Sequence, residues 1–141
     1  MRSYLLIGNQ TLDSPELAAA IQERLATGPA SFHVVAPATP VGGGLTWDET
    51  EARDVAGTRL ETAMARLREA GAETTGEIGS RDPVEAALDA LRGRQVDEVI
   101  LSTLPSGISR WLGQDVPSRL RGSVSVPVTV VTTARESVAT T

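Results

Sequence analysis

"EVILSTLPSGISRWLGQD", Glu98 to Asp115, passes from an apolar run into a loop of small residues and on toward a short helix. A second apolar run, "VPVTVV" (Val126 to Val131), follows it. A strand, a loop and a helix that lead to another strand form the unit from which parallel α/β sheets are assembled. The loop lies where many such proteins hold a phosphate. It nevertheless carries Pro105 and Trp111, with only scattered glycines.

The same alternation extends back to the N-terminus. "SYLLIG" (Ser3 to Gly8) reads as a buried strand ending at a glycine. Ser14 is placed to N-cap a helix, Pro15 suits its first turn, and Glu16 complements the positive end of its dipole. Leu17, Ile21 and Leu25 line one face of that helix, and Gly28-Pro29 stops it. "SFHVVA" (Ser31 to Ala36) is a second strand, followed by the loop "PATPVGGGL" (Pro37 to Leu45), in which Gly42 to Gly44 imply mobility. "TWDE" (Thr46 to Glu49) is a capping box that starts a helix running to about Ala70, with Leu60, Ala63, Met64 and Leu67 inward and Gly71 as its stop. "ETTGEI" (Glu73 to Ile78) is polar enough to be an edge strand. "DPVE" (Asp82 to Glu85) opens another helix, whose apolar stripe is Val84, Ala87, Leu88 and Leu91. The last helix is expected around Asp115 to Leu120.

Strands and helices therefore alternate from end to end. That order predicts a single-domain three-layer α/β sandwich, a five-stranded parallel sheet with helices on both faces. A length of 141 residues suits one core.

Composition excludes much chemistry. With no cysteine there is no thiol nucleophile, disulfide or iron–sulfur cluster. With no lysine there is neither Schiff-base chemistry nor a P-loop lysine. The single histidine, His33, sits mid-strand and reads as a packed or edge residue rather than a catalytic one. A net charge of −5 without a basic cluster argues against nucleic acid as a partner. No apolar run approaches the roughly 20 residues that span a bilayer. "MRSYLLIGNQ" has neither a long apolar stretch nor a cleavage site, so no secretory signal, no membrane partner and a cytoplasmic location are expected.

In open parallel sheets ligands lie beyond the carboxyl ends of the strands, where the strand order reverses. "GNQT", "PATP" and "STLPSGISR" converge there. The candidate ligand contacts are Asn9, Gln10, Thr11, Ala36, Ala38, Ser102, Thr103, Ser106, Gly107, Ser109 and Arg110. Arg110, the arginine of these loops, is the natural anion partner or else a solvated surface residue. Asn9 either binds a ligand or bonds its own turn; Ser102 and Thr103 either contact a ligand or satisfy backbone groups. Trp47 and Trp111 read as covers over apolar surface. No catalytic residues and no metal ligands are assigned. Asp13 and Asp115 are the nearest carboxylates, Asp115 also being a candidate helix cap, and the crevice offers a serine no base.

With "YLLIGNQT", "FHVVAP", "VDEVILS" and "VPVTVV" in this order, the chain resembles the universal stress protein family over nearly its whole length. More narrowly, "NQTL", "PATP", "LTW" and "STLPSGISRWL" resemble a group of actinobacterial members. The resemblance implies a Rossmann-like, adenine-nucleotide α-hydrolase-like sheet of order 3-2-1-4-5. The domain it implies runs over residues 1–133, and the polar residues 134–141 after it read as a disordered or frayed tail. Asn9 stands where the family has an acidic residue. Nucleotide-binding members carry Gly-x2-Gly-x9-Gly-Ser/Thr after the fourth strand, and here every position departs. Ser102 replaces the first glycine, and Pro105, which has no amide to donate, replaces the second or falls in a one-residue deletion. The final pair becomes Gln114-Asp115 or Asp115-Val116, and an aspartate there repels a triphosphate.

The resulting expectation is a non-enzymatic module with a degenerate nucleotide site and no cofactor, ATP and AMP being disfavoured. It dimerises through the last strand (Val126 to Val131) and contacts an unknown protein partner or small molecule. The alternative is a sensor of AMP, ATP or a related metabolite at the crevice. A nucleotide hydrolase or transferase is the remaining class, with its base, metal ligands and lysine missing.

Overall fold

Strand β1 (Arg2–Ile7) is the centre of the molecule: Tyr4, Leu5, Leu6 and Ile7 are all buried. Side chains alternate across a strand, so β1 feeds two cores. Tyr4 and Leu6 join Phe32, Val34, Ala36 and Ile100 on one face, and Leu5 and Ile7 join Val35, Val99 and Leu101 on the other. The structure, a computed structural model, describes residues 1–38, 49–104 and 115–133.

Helices α1 (Pro15–Leu25) and α2 (Glu49–Glu69) cover the first face through Leu17, Ile21, Ala56, Leu60, Ala63 and Leu67. Helices α3 (Pro83–Leu91) and α4 (Val116–Ser123) cover the second through Val84, Ala86, Ala87, Ala90, Val116 and Leu120. The remaining strands are β2 (Ala30–Pro37), β3 (Glu73–Gly79), β4 (Glu98–Thr103) and β5 (Val128–Thr132). All pairings are parallel, in the order β3-β2-β1-β4-β5. The three-layer α/β sheet read from the sequence is the architecture observed.

The local stops and starts follow their residue chemistry. Ser14 caps α1, its hydroxyl accepting from the Leu17 amide at 3.1 Å, and Asp82 caps α3, its Oδ1 accepting from the Val84 amide at 3.1 Å. Past α2, Gly71 takes φ 95°, a left-handed conformation that a side chain resists.

Four expectations need correction. Leu88 is 37% exposed rather than part of the α3 stripe. The inner face of α3 is built from alanines because the helix lies tight on the sheet: a Cβ at Gly79 would stand 2.6 Å from the Ala86 Cβ. Helix α4 starts and ends later than expected, and β5 spans Val128–Thr132 rather than Val126 to Val131. Asp115 precedes α4 in a left-handed conformation, and its side chain makes no capping bond.

β3 is the polar edge strand, paired only with β2. His33 secures it as a packed residue: Nδ1 lies 2.7 Å from Thr75 Oγ1 and Nε2 lies 2.6 Å from Glu77 Oε2. β5 is the other edge, and there Val130 and Val131 are only half-buried. Among the described residues no helix is long and apolar enough to cross a membrane. Thr46 to Asp48 of the TWDE capping box, the Gly42 to Gly44 loop, both tryptophans and residues 134–141 lie outside the described residues.

Candidate functional site

The strand order reverses between β1 and β4, so the crevice lies where the loop after β1 meets the ends of β2 and β4. The β1 loop turns back on itself: the Leu12 amide donates to the Asn9 carbonyl at 3.3 Å and the Ser14 amide to the Thr11 carbonyl at 3.0 Å. Gly8 permits this tight turn, because a Cβ there would sit 2.8 Å from Leu12 Cδ2. The turn aims Asn9 toward β2 and Thr11 toward β4.

Asn9 is buried and uses both ends of its amide. Nδ2 donates to the Pro37 carbonyl at 2.7 Å, and Oδ1 accepts from Arg59 Nη1 at 2.7 Å. Thr11 and Ser102 are also buried, and their hydroxyls lie 2.5 Å apart across the switch point. Thr103 is buried and donates from Oγ1 to the Leu104 carbonyl at 2.9 Å, while its own carbonyl accepts from the Thr133 amide at 2.9 Å. Ala36 points into the core beneath α2, and the Ala38 amide extends the β2–β3 ladder to the Gly79 carbonyl at 3.1 Å. Gln10 is exposed and makes no hydrogen bond to a described residue.

The structure thus bonds Thr11 to Ser102, Asn9 to the Pro37 carbonyl and the Arg59 side chain, and Thr103 to backbone. Ser106, Gly107, Ser109 and Arg110 lie outside the described residues. Asp13 and Asp115 are both exposed. Among the described residues no group of three or more His, Asp or Glu side chains is placed to hold a metal ion.

Sequence reasoning overlooked Arg59. Arg59 follows Ala56 by three residues and precedes Ala63 by four, which places it on the inward stripe. It is half-buried. Burial lowers its guanidinium below the usual arginine range, and the negative charge of Asp13 opposes that shift. Asn9, Gln10, Asp13, Thr58, Arg59 and Thr62 border a cleft of about 110 Å³ between the β1 loop and α2.

The universal stress protein family profile matches residues 15–132. No curated protein matches the chain at a significant level. Among solved structures, a universal stress protein from Archaeoglobus fulgidus is similar with a TM-score of 0.61 at 22% identity, over 93% of each chain. A structure of the universal stress protein from Archaeoglobus fulgidus in complex with dAMP is similar with a TM-score of 0.59 at 23% identity, over 93% of this chain and 97% of that one. A universal stress protein family protein from Arabidopsis thaliana with AMP bound has a TM-score of 0.61 at 10% identity, over 97% of this chain and 95% of that one. At these identities the solved structures speak for the fold, and the profile match for the family. By its strand order, its switch-point crevice and that match over residues 15–132, the chain belongs to the universal stress protein family.

Proposed function

We propose that this protein is a non-enzymatic universal-stress-type module with a degenerate nucleotide site, acting in the cytoplasm as a homodimer that contacts a further partner. The observation that carries this reading is the closure of the switch point. Thr11 and Ser102, the hydroxyls nearest the reversal of strand order, are spent on each other at 2.5 Å, and Asn9 is spent on Pro37 and Arg59. A phosphate cradle needs free donors that converge on the anion. The sequence after β4 weighs in the same direction, since Ser102 stands where the first amide-exposing glycine is needed and Pro105, or a one-residue deletion, where the second is needed.

Dimerisation is supported by β5. It is an edge strand whose Val130 and Val131 are half-buried, and an apolar edge of this kind favours pairing with a second chain.

A second reading is a sensor of an adenine mononucleotide. Its support is that two structural relatives were solved with dAMP and with AMP bound. Calorimetric titration of nucleotide-stripped protein with ATP and Mg²⁺, AMP and adenosine separates the two. Absence of heat with all three, with no nucleotide turnover and a dimer by light scattering, is the expected result. Micromolar binding of AMP supports the sensor, and micromolar binding of ATP overturns the degenerate site.

A further inference from the structure

Arg59 presents a physical problem that the fold does not resolve. It is half-buried on the inward stripe of α2, and burial of a cation is ordinarily offset by an ion pair. Among the described residues no carboxylate lies within ion-pair distance of it, and its one hydrogen bond goes to a neutral acceptor, Asn9 Oδ1, at 2.7 Å. That bond uses Nη1. The rest of the guanidinium fork, Nε and Nη2, meets no acceptor among the described residues.

The surroundings have the chemistry of an anion site. Arg59 and Gln10 border the same cleft of about 110 Å³, and the Gln10 side chain also lacks a partner among the described residues. The Thr58 and Thr62 hydroxyls on the α2 wall are already committed to backbone, donating to the Asp54 and Thr58 carbonyls at 3.2 and 3.1 Å. Open donors therefore come from Arg59 and Gln10, an array that suits a group with two acceptor oxygens. The cleft is smaller than the roughly 300–1,000 Å³ of a pocket that encloses a whole ligand. It suits one terminal group, with the remainder of the molecule outside. Asp13 borders the cleft too, and its negative charge penalises a doubly charged group more than a singly charged one.

We propose that Arg59 and Gln10 form an anion-binding site between the β1 loop and α2, which takes the oxyanion end of a small metabolite, a carboxylate in preference to the more highly charged phosphoryl group. The site is separate from the cradle after β4, although it shares Asn9 and Gln10 with the crevice, and it stands or falls independently of dimerisation. Asn9 is its positioning residue: it holds the guanidinium by one edge and leaves the other edge to the ligand.

The test is a titration of full-length protein with acetate and, separately, with inorganic phosphate at constant ionic strength. The readout is the NMR signals of the Arg59 Nε–H and the Gln10 side-chain amide. Saturable shifts at these two groups are expected. Tighter saturation with acetate than with phosphate supports the carboxylate preference, and the reverse order overturns it. Arg59→Gln weakens binding by about tenfold or more, as loss of a charge-assisted pair does. Asp13→Asn strengthens it severalfold, by removing a repulsive charge from a residue exposed enough to leave the fold intact. That second variant keeps the test decisive if Arg59→Gln loosens the β1 loop. Linear, non-saturating shifts with both anions overturn the proposal, as does an affinity indifferent to Asp13→Asn.

Discussion

Arg24 on α1 holds Glu98 on β4 by two parallel hydrogen bonds, Nε to Oε1 at 3.1 Å and Nη2 to Oε2 at 2.7 Å. The two side chains are only 16% and 17% exposed, and Glu98 also accepts from the Thr129 hydroxyl on β5. Helix, central sheet and edge strand are thus tied at the end of the sheet opposite the crevice. Burial alone would raise the Glu98 carboxyl, but the hydrogen bonds from Arg24 and Thr129 and the charge of Arg24 outweigh it and hold the group below its usual range. The same bond to Glu98 raises the Arg24 guanidinium against the opposing effect of burial.

Arg24→Ala leaves a buried carboxylate without its cation and is expected to cost about 1–3 kcal/mol at neutral pH. The cost depends on pH with a defined sign. Because Glu98 is depressed in the folded state, its stabilisation is fully present above the unfolded glutamate value of about 4.3 and fades as pH falls through the lower folded value. Urea unfolding of wild type and variant should therefore show a gap at pH 7 that closes in acid. Equal midpoints at pH 7, or a gap unchanged through the acid range, would show that the pair does not contribute as described.

Asn9 is expected to act as a structural staple. Asn9→Ala removes the donor to the Pro37 carbonyl and the acceptor for Arg59 together, with an expected loss of about 1–3 kcal/mol. Asn9→Asp sets a carboxylate oxygen against the Pro37 carbonyl but turns the Arg59 contact into a charge-assisted pair that offsets this repulsion, so its melting temperature should fall less than that of the alanine variant. A side chain reserved for a ligand would instead leave the melting temperature unchanged in both.

How much of this was legible in the sequence depended on the range of the interaction. Ser14 and Asp82 were readable as caps because a cap bonds an amide two or three residues away. The polarity of β3 was enough to place it at an edge. Asn9, Thr11 and Ser102 were identifiable as crevice residues, because strand ends fix where they lie. Their use was not, because the partners are 28, 50 and 91 residues distant. Leu88 was misplaced by treating leucine as the residue that must face inward. On a helix packed this closely the inner face belongs to alanine. Arg59 was missed because its charge was given more weight than its spacing, although a long cationic side chain can lie along an inward stripe and carry its head to the edge of the sheet.

Gly79 determines how closely α3 approaches. A Cβ there would meet the Ala86 Cβ at 2.6 Å and Val35 Cγ1 at 2.9 Å, both short-side-chain or core atoms with little room to move. Gly79→Ala is expected to push α3 off the sheet and cost about 1–3 kcal/mol by overpacking. Gly79→Ala combined with Ala86→Gly should recover part of the loss, since it removes the nearer clash. Independent, additive effects in chemical denaturation would argue against direct contact.

The outer edge of β5 offers a test of dimerisation that leaves the fold in place. The Pro127 carbonyl accepts from the Val99 amide at 2.9 Å and the Thr133 amide donates to the Thr103 carbonyl at 2.9 Å, so the odd-numbered residues of this stretch bond inward to β4. In a parallel ladder the amides of Val128, Val130 and Thr132 then face outward. Val130→Pro deletes an outward N–H, blocks strand addition at that edge and spares the bonds to β4. Light scattering at micromolar concentration is expected to give a dimer for the wild type and a monomer for Val130→Pro, with the circular dichroism spectrum unchanged. A variant that stays dimeric and folded would move the interface to another surface. A wild type that is already monomeric would remove dimerisation from the proposed function altogether.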